Sequence, residues 1–282
     1  MKALRAACVN PVLHYGLDVG LLRVGDPADL IEVEDLIEFR PLRTFIQGQI
    51  VSEENLSMLP SLPVEIVNNF HATPNKPMDF RVKAQSRNIR VIDVQEGQLI
   101  TGSVILPALI EKGDAISDTS CDILKIVVVN RYQSAPPAVG FIRGFGLTHG
   151  AIASSVAHDS HNIVAVGVTD DDLCKAINTV IAERGGLCVV GKREQFTLPL
   201  PVAGLMSDGD AHYVAHRYAL LLSWVIALGT PLAAPFMTLS FMALLVIPTL
   251  KMSDKGLFDS DRFQPIELFC EDNAKGKGDL WQ

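Results

Sequence analysis

Two apolar runs separated by a helical pattern most constrain the fold of this chain. The run "NIVAVGV" at 162–168 is almost continuously apolar, which is typical of a strand buried on both faces. In the following "TDDDLCKAINTVIAERGG", the apolar residues recur at the spacing of one helical face: Leu173, Ile177, Val180 and Ile181. A second apolar run, "LCVVG", comes next. The pattern predicts a β-α-β unit, and therefore at least one pair of parallel strands.

The ends of this predicted helix carry their own signals. Aspartates at 170–172 favour a helix N-terminus, where carboxylates cap free amides and interact favourably with the helix macrodipole. Gly185 and Gly186 can supply the left-handed residue at which many helices end. The sequence therefore predicts a helix that ends at this glycine pair.

The first fifty residues predict a small β module. Residues 2–9 look like the last turns of a helix that stops at Asn10–Pro11, since proline disfavours helical geometry in the residue before it. Two strands on either side of a turn at Gly25–Pro27 and a hairpin around Gly48 follow. The acidic side chains of this module predict a solvated face: Asp26, Asp29, Glu32, Glu34, Asp35 and Glu38.

Four further segments have the composition of strands. They are "IRVIDV" (89–94), "QLITGSVIL" (98–106), "DILKIVVVN" (122–130) and "AVGFIRGFGL" (138–147). The last contains three glycines but lacks the GxGxxG order of a dinucleotide loop, so it is a weak candidate for phosphate binding.

Composition excludes some classes of partner. The net charge of −8 argues against nucleic acid, because that affinity comes mainly from lysine and arginine on phosphates. The five cysteines are widely spaced and form no CxxC pair, which favours reduced thiols in a cytoplasm over a disulfide framework. The segment "MKALRAACVNPV" lacks the apolar core of a secretory signal.

An uncharged stretch at 219–248 raises the question of a membrane span. About 20 apolar residues would cross a bilayer. Gly229, Pro231 and Pro235 divide the stretch into shorter pieces. We therefore expect a buried helix, a loop and a second buried segment, and no membrane partner.

The motif "HDSHN" at 158–162 is a dense group of polar, reactive side chains between apolar runs. Its flanks are strand-like, which predicts a loop, and loops on rigid scaffolds often present functional groups. Two interpretations stay open. The motif is a catalytic or metal site, or it is a polar turn in which Asp159, Ser160 and Asn162 bond backbone amides.

Two other groups have the same ambiguity. Ser207 and Asp208 either contact a ligand or cap the helix that begins near Asp210. His212 and His216 lie four residues apart, a spacing that permits metal binding on one helical face but is also common in exposed pairs.

Three long motifs carry a resemblance to a known family. "GLTHGAIASSVAHDSHNIVAVG", "LPLPVAGLMSD" and "PFMTLSFMALLVIPTLKMSDKGLFD" resemble the C-terminal domain of bacterial adenine deaminases. The N-terminal part, including "LRTFIQGQIV", is similar to the end of a metal-dependent amidohydrolase barrel and its small flanking β-sandwich.

The resemblance implies a mixed α/β fold without the TIM barrel itself. Residues 1–57 would hold the end of a barrel helix and a segment of the flanking β-sandwich. Residues 58–104 would connect it to the adenine deaminase C-terminal domain at 105–282, a mixed sheet with a β-α-β unit. The metal-binding strands of the barrel would be absent.

The resemblance also implies a reaction of purine catabolism, the hydrolysis of adenine to hypoxanthine and ammonia. In the family a divalent metal, manganese or iron, supplies hydroxide at neutral pH, and its ligands lie on barrel strands. No residue of this chain is expected to bind the metal. The loop residues predicted to form a catalytic wall of the active site are His158, Asp159 and His161. Those predicted to contact substrate are Ser160, Asn162, Ser207 and Asp208.

The chain would then act with a separate barrel chain, as a cytoplasmic homo-oligomer, or it would be a truncated form or fragment of such an enzyme. A non-catalytic protein that folds and oligomerises is the alternative. A self-contained hydrolase with a metal held by His158, His161 and an acid is a third hypothesis.

Overall fold

A computed structural model describes residues 1–60 and 62–270. The chain divides into two compact units, Met1–Val64 and Glu65–Gln282, which we call unit 1 and unit 2. The predicted mixed α/β class is confirmed, since the described residues form a structure dominated by sheets with a few helices and no closed barrel. The finer domain boundaries at 57 and 104 stay predictions.

Unit 1 begins with a helix that does not stop where the sequence predicted. It runs through α1 (Lys2–Leu4), a π-helical turn (Arg5–Val9) and α2 (Asn10–Tyr15), and ends at left-handed Gly16, with φ 63°. Proline lacks an amide hydrogen but is tolerated in the first turn of a helix. The π-helical turn places Pro11 in the first turn of α2, so the helix continues past it.

The described part of unit 1 is completed by a four-stranded antiparallel sheet. Its strands, in spatial order, are β1 (Leu30–Val33), β2 (Pro41–Ile46), β3 (Gln49–Glu53) and β4 (Leu56–Ser57). The predicted hairpin is confirmed, since β2 and β3 pair around Gly48. The predicted strand before Gly25 is wrong. There the Leu21 amide and the Arg23 guanidinium both donate to the Asp26 carboxylate, which folds the segment locally.

The acidic side chains of unit 1 are exposed or half-buried, in agreement with a solvated face. Asp26, Glu34 and Glu32 form ion pairs with arginines. The pairs are Arg23 with Asp26, Arg40 with Glu34 and Arg43 with Glu32.

The remaining described elements belong to unit 2. Its strands are β5 (Val82–Lys83), β6 (Asn88–Asp93), β7 (Gly102–Pro107), β8 (Leu109–Glu111), β9 (Asp114–Ile116), β10 (Leu124–Val129), β11 (Ala138–Arg143), β12 (Ala151–Ser154), β13 (Ile163–Gly167), β14 (Gly186–Val190), β15 (Gln195–Pro199), β16 (Leu250–Ser253), β17 (Gly256–Asp259), β18 (Gln264–Pro265) and β19 (Phe269–Cys270). Its helices are a 3-10 turn (Pro77–Phe80), α3 (Asp170–Ala182), α4 (Ala211–Ala227) and α5 (Pro235–Phe241). The four strand-like segments predicted between 89 and 147 are confirmed as β6, β7, β10 and β11.

Nine of the described strands form the central sheet, in the order β15-β14-β12-β13-β10-β11-β6-β19, with β7 also paired to β6. The predicted β-α-β unit is confirmed as β13, α3 and β14. Its two strands do not pair, however, because β12 lies between them and is antiparallel to both. Parallel pairing in this sheet instead joins β6 to β11.

The ends of α3 agree only partly with prediction. Thr169 caps the N-terminus by accepting the Asp172 amide hydrogen at 3.1 Å, and aspartates fill the first turn. At the other end the left-handed residue directly after the helix cap is Arg184, with φ 55°. The glycines after it permit close backbone approach, since a Cβ added to Gly186 would collide with the Leu198 carbonyl oxygen.

The central sheet is buried on both faces, which explains its continuous apolar runs. In β10, Ile126 and Val128 belong to the core cluster that includes residues of α4 and α5. Val127 and Val129 belong to the cluster that includes residues of α3. Successive side chains of a strand point to opposite faces, so both faces of β10 must be apolar.

The apolar stretch at 219–248 is divided as predicted, but the expected burial of its first helix is wrong. Of the α4 residues only Leu221 and Val225 are buried, and Ile226 is exposed, because the helix packs on the core along one side only. The helix α4 ends before Gly229, and α5 begins at Pro235. Within 1–60 and 62–270, no helix has the length and apolarity needed to cross a membrane.

Candidate functional site

The HDSHN loop, residues 158–162, lies in the connection between β12 and β13, as the sequence predicted. The His158 amide donates to the Ser240 carbonyl at 3.0 Å, and the His158 ring stacks on Phe241 of α5 with centroids 5.0 Å apart. The imidazole centroids of His158 and His161 are 5.7 Å apart. The loop therefore does bring the two histidines together.

His161 has a defined chemical state. Its Nδ1 accepts the Ala157 amide hydrogen at 3.3 Å, so the neutral ring carries its proton on Nε2. Burial lowers the pKa of His161, electrostatic interactions with His158 and Arg131 lower it further, and the Asp159 carboxylate opposes them. The lowered pKa favours the neutral ring, which can donate a hydrogen bond through Nε2.

The other residues of the loop divide into exposed and buried ones. Asp159 and Ser160 are exposed, whereas Asn162 is buried. The Asn162 side chain accepts the Arg131 amide hydrogen at 3.3 Å and donates to Ser160 Oγ at 3.3 Å. Asn162 thus behaves as the polar-turn interpretation expects, while Asp159 and Ser160 are open to solvent.

Ser207 and Asp208 lie in the segment before α4. Ser207 Oγ accepts the Gly209 amide hydrogen at 3.0 Å, and Asp208 is exposed. The helix cap is Asp210, which accepts the Tyr213 amide hydrogen at 2.8 Å. The helix therefore begins where the sequence predicted, but its capping side chain is that of Asp210.

Arg131 is the residue that the sequence reasoning missed. It lies two residues beyond the end of β10, is only 5% exposed, and donates from Nη1 to the Ala203 carbonyl at 2.7 Å. It therefore links the HDSHN loop, through Asn162, to the "VAGLMSD" segment that contains Ser207. The available signal was a charged residue close behind the apolar run of β10.

The described residues do not fit a metal centre. Among them, no group of three or more His, Cys, Asp or Glu side chains is placed to hold an ion. The Nδ1 of His161 is already bonded, and His212 and His216 lie exposed on α4. The hypothesis of a metal held by His158, His161 and an acid therefore has no support in this part of the chain.

The glycine-rich segment of β11 and its following turn is explained without a ligand. The amides of Gly144 and Gly146 donate to the Asp122 carboxylate at 2.7 and 2.8 Å. An internal anion thus occupies the donors that a phosphate would need.

Comparison with known proteins identifies the class. Residues 1–51 match the model of the amidohydrolase family, and residues 98–264 match the adenine deaminase C-terminal domain. The chain is 51% identical to adenine deaminase from Salinibacter ruber over 270 residues, 95% of this chain and 49% of that protein. It is 53% identical to adenine deaminase from a Sulfurovum species over 265 residues, 94% and 48% of the two chains.

The chain belongs to the adenine deaminase family and contains its C-terminal domain. It spans about half the length of the relatives that it matches. The resemblance stated from the sequence is therefore confirmed, and with it the membership of the family.

Proposed function

We propose that this chain forms the C-terminal part of an enzyme that hydrolyses adenine to hypoxanthine and ammonia together with an amidohydrolase barrel. The observation that carries the proposal is the joint match of 1–51 to the amidohydrolase family and of 98–264 to the adenine deaminase C-terminal domain. The family implies a divalent metal, and we propose manganese or iron, held by the barrel. The described residues of this chain do not form such a site.

The low burial of unit 1 supports a need for further protein. Of its described residues, none is fully buried, and many large apolar side chains are exposed, among them Leu13, Leu22 and Ile37. A group of this size without a buried core is not expected to be stable, and exposed apolar surface of this kind marks an interface. A barrel, in the same or a separate chain, would cover it.

The HDSHN loop would form a wall of the active site. His161 would donate from Nε2 to an acceptor of the purine, and His158, fixed on Phe241, would lie beside it. Asp159 is an exposed carboxylate, which can move protons during departure of the amine.

Of the side chains predicted to contact substrate, we propose that Ser160, Ser207 and Asp208 do so directly. Asp208 and Ser160 are exposed and can reach a ligand directly. Asn162 would act through the shape of the loop, because its side chain is buried.

The wider role is proposed on chemical grounds. Hydrolysis of adenine is a step of purine catabolism, and the free thiols of all five cysteines support a cytoplasmic location. We also propose a homo-oligomer, in which apolar side chains of unit 1 that the barrel leaves uncovered would form subunit contacts.

The proposal is tested by assembling this chain with an amidohydrolase barrel of the family and measuring ammonia release from adenine. We expect H161A to lower turnover by about tenfold or more, since it removes a hydrogen-bond donor from the site. H216A removes an exposed histidine of α4 and is the matched control, expected to leave turnover unchanged. Turnover that survives both H158A and H161A would contradict the active-site role. Absence of activity in any assembly would favour a non-catalytic protein.

A further inference from the structure

Arg131 is an energetically costly residue. It is only 5% exposed, and none of the ion pairs between described side chains includes it. Its Nε is buried and has no hydrogen-bond partner among residues 1–60 and 62–270. A buried cation without a carboxylate partner destabilises a fold, so its presence calls for a compensating role.

The bonds of Arg131 converge on the HDSHN loop. Its Nη2 donates to the Tyr132 hydroxyl at 2.9 Å, and that hydroxyl donates to the Ser160 carbonyl at 2.7 Å. Its backbone amide donates to Asn162 Oδ1 at 3.3 Å. Two positions of the five-residue loop are thus tied to the same arginine.

The opposite side of the guanidinium is fixed as well. Its Nη1 donates to the Ala203 carbonyl at 2.7 Å, and its carbon lies 4.8 Å from the Tyr132 ring centroid and 5.8 Å from that of Phe70. A Cβ added to Gly204, whose φ is 70°, would collide with Nη1, so a side chain there would displace the guanidinium from this place. The planar fork of arginine suits this set of directed contacts, whereas lysine cannot reproduce it.

We infer that Arg131 is a positioning residue, which ties the HDSHN loop to the 203–204 turn and thereby holds the His161 imidazole at a fixed place in the site. The inference rests on the proposed function, because the loop has a catalytic purpose only there. Arg131 also acts on His161 by charge. Burial lowers the pKa of His161 most, the interactions with His158 and Arg131 lower it further, and the Asp159 carboxylate acts in the opposite direction.

The test uses the 282-residue chain and NMR, and it needs no turnover. The readouts are the pH midpoint of the His161 ring and the hydrogen exchange of the Ala157 and His161 amides.

In Arg131→Met the pH midpoint of the His161 ring moves upwards, because a neighbouring cation is lost. The exchange of the two amides accelerates about fivefold, the change expected for one lost hydrogen bond. Arg131→Lys keeps the positive charge but loses the planar guanidinium with its several donors. The amide hydrogen exchange of the loop therefore accelerates, while the pH midpoint of the His161 ring stays near its original value. Arg193→Met, at an exposed position, is the matched control and changes neither.

Tyr132→Phe is a milder variant that keeps the test valid if Arg131→Met does not fold. It removes only the hydroxyl that links Arg131 to Ser160. It is expected to accelerate exchange without moving the midpoint. A folded Arg131→Met with unchanged midpoint and exchange overturns the inference. If Arg131→Met does not fold, unchanged exchange in both Arg131→Lys and Tyr132→Phe overturns it. A loosened loop together with unchanged adenine turnover in the assembled enzyme would instead overturn the proposed function.

Discussion

Units 1 and 2 both contain hydrogen-bonded sheets, but they differ in burial. Unit 2 places apolar clusters on both faces of its central sheet, with fully buried side chains such as Ile126 on one face and Val127 on the other. The described part of unit 1 has no fully buried side chain, although it contains four paired strands and a helix. Strand pairing alone therefore does not make a core, since stability comes mainly from covering apolar faces.

Separating the units tests this comparison most directly. We expect residues 65–282 to unfold cooperatively, because they contain every buried side chain among the described residues, and residues 1–64 alone to be largely unfolded. Circular dichroism and amide NMR dispersion of the two pieces measure the difference. Dispersed amide signals from residues 1–64 alone would show that paired strands without a buried core are enough for a stable fold.

Matched phenylalanines on a middle strand of each unit give the next largest effect. Phe141 of β11 is fully buried, so F141A is expected to cost about 3–5 kcal/mol in the free energy of unfolding. Phe45 of β2 is only half-buried, and F45A is expected to cost about 1 kcal/mol or less. Urea unfolding of both variants measures the two costs. Equal losses would contradict the contrast between the units.

Ion pairs sharpen the same contrast. Lys125 Nζ lies 2.6 Å from Asp170 Oδ1, and the lysine side chain is 2% exposed, so D170N would leave a buried cation and is expected to cost about 3 kcal/mol. Arg43 and Glu53 of unit 1 lie 2.7 Å apart but are 45% and 40% exposed, so E53Q is expected to cost less than about 1 kcal/mol. Thermal or urea unfolding provides the comparison. A larger loss of unfolding free energy in E53Q than in D170N would show that the exposed ion pair stabilises the fold more than the buried one.

The smallest expected effect concerns pH. Burial lowers the pKa of Lys251 to about 8, and its Nζ donates to the Leu99 carbonyl at 2.8 Å. Above that pH the unfolded chain binds more protons than the folded one, so the stability of unit 2 is expected to rise by about 1 kcal/mol between pH 8 and 9. Burial raises the pKa of Cys188 to about 11, which acts in the opposite direction mainly above pH 9.

The control for the pH effect is K251M, in which this rise should disappear. Urea titrations of both proteins at pH values around and above the pKa of Lys251 provide the measurement. An identical rise in the variant would assign the effect to other groups.

Much of the fold of unit 2 could be predicted from local patterns. The β-α-β unit, the strands from 89 to 147 and the division at Gly229 all followed from apolar periodicity and from helix-breaking residues. The position of β12 between β13 and β14 could not, because periodicity shows that a strand is buried but not which strand pairs with it. The continuation of the first helix past Pro11 depended on a π-helical turn that no residue type announces.

The candidate site was predictable only in part. The loop position of His158 and His161 followed from their strand-like flanks, and the structure brings the two rings together. The role of Arg131 could not be predicted, since its burial depends on Phe70, Ala203 and other residues far away in the sequence. Long-range contacts of this kind leave no mark in the local pattern.

The placement of β12 has a consequence for how the HDSHN loop can change. The loop joins two adjacent interior strands, and each of these has a second neighbour, β14 for β12 and β10 for β13. A shift in the register of either strand would break its hydrogen bonds to two neighbouring strands at once. The two ends of the loop are therefore held in fixed positions. Insertions or deletions between Ser154 and Ile163 can therefore change only the length of the connecting loop. Evolution can reshape this loop without shifting the register of the strands that it joins.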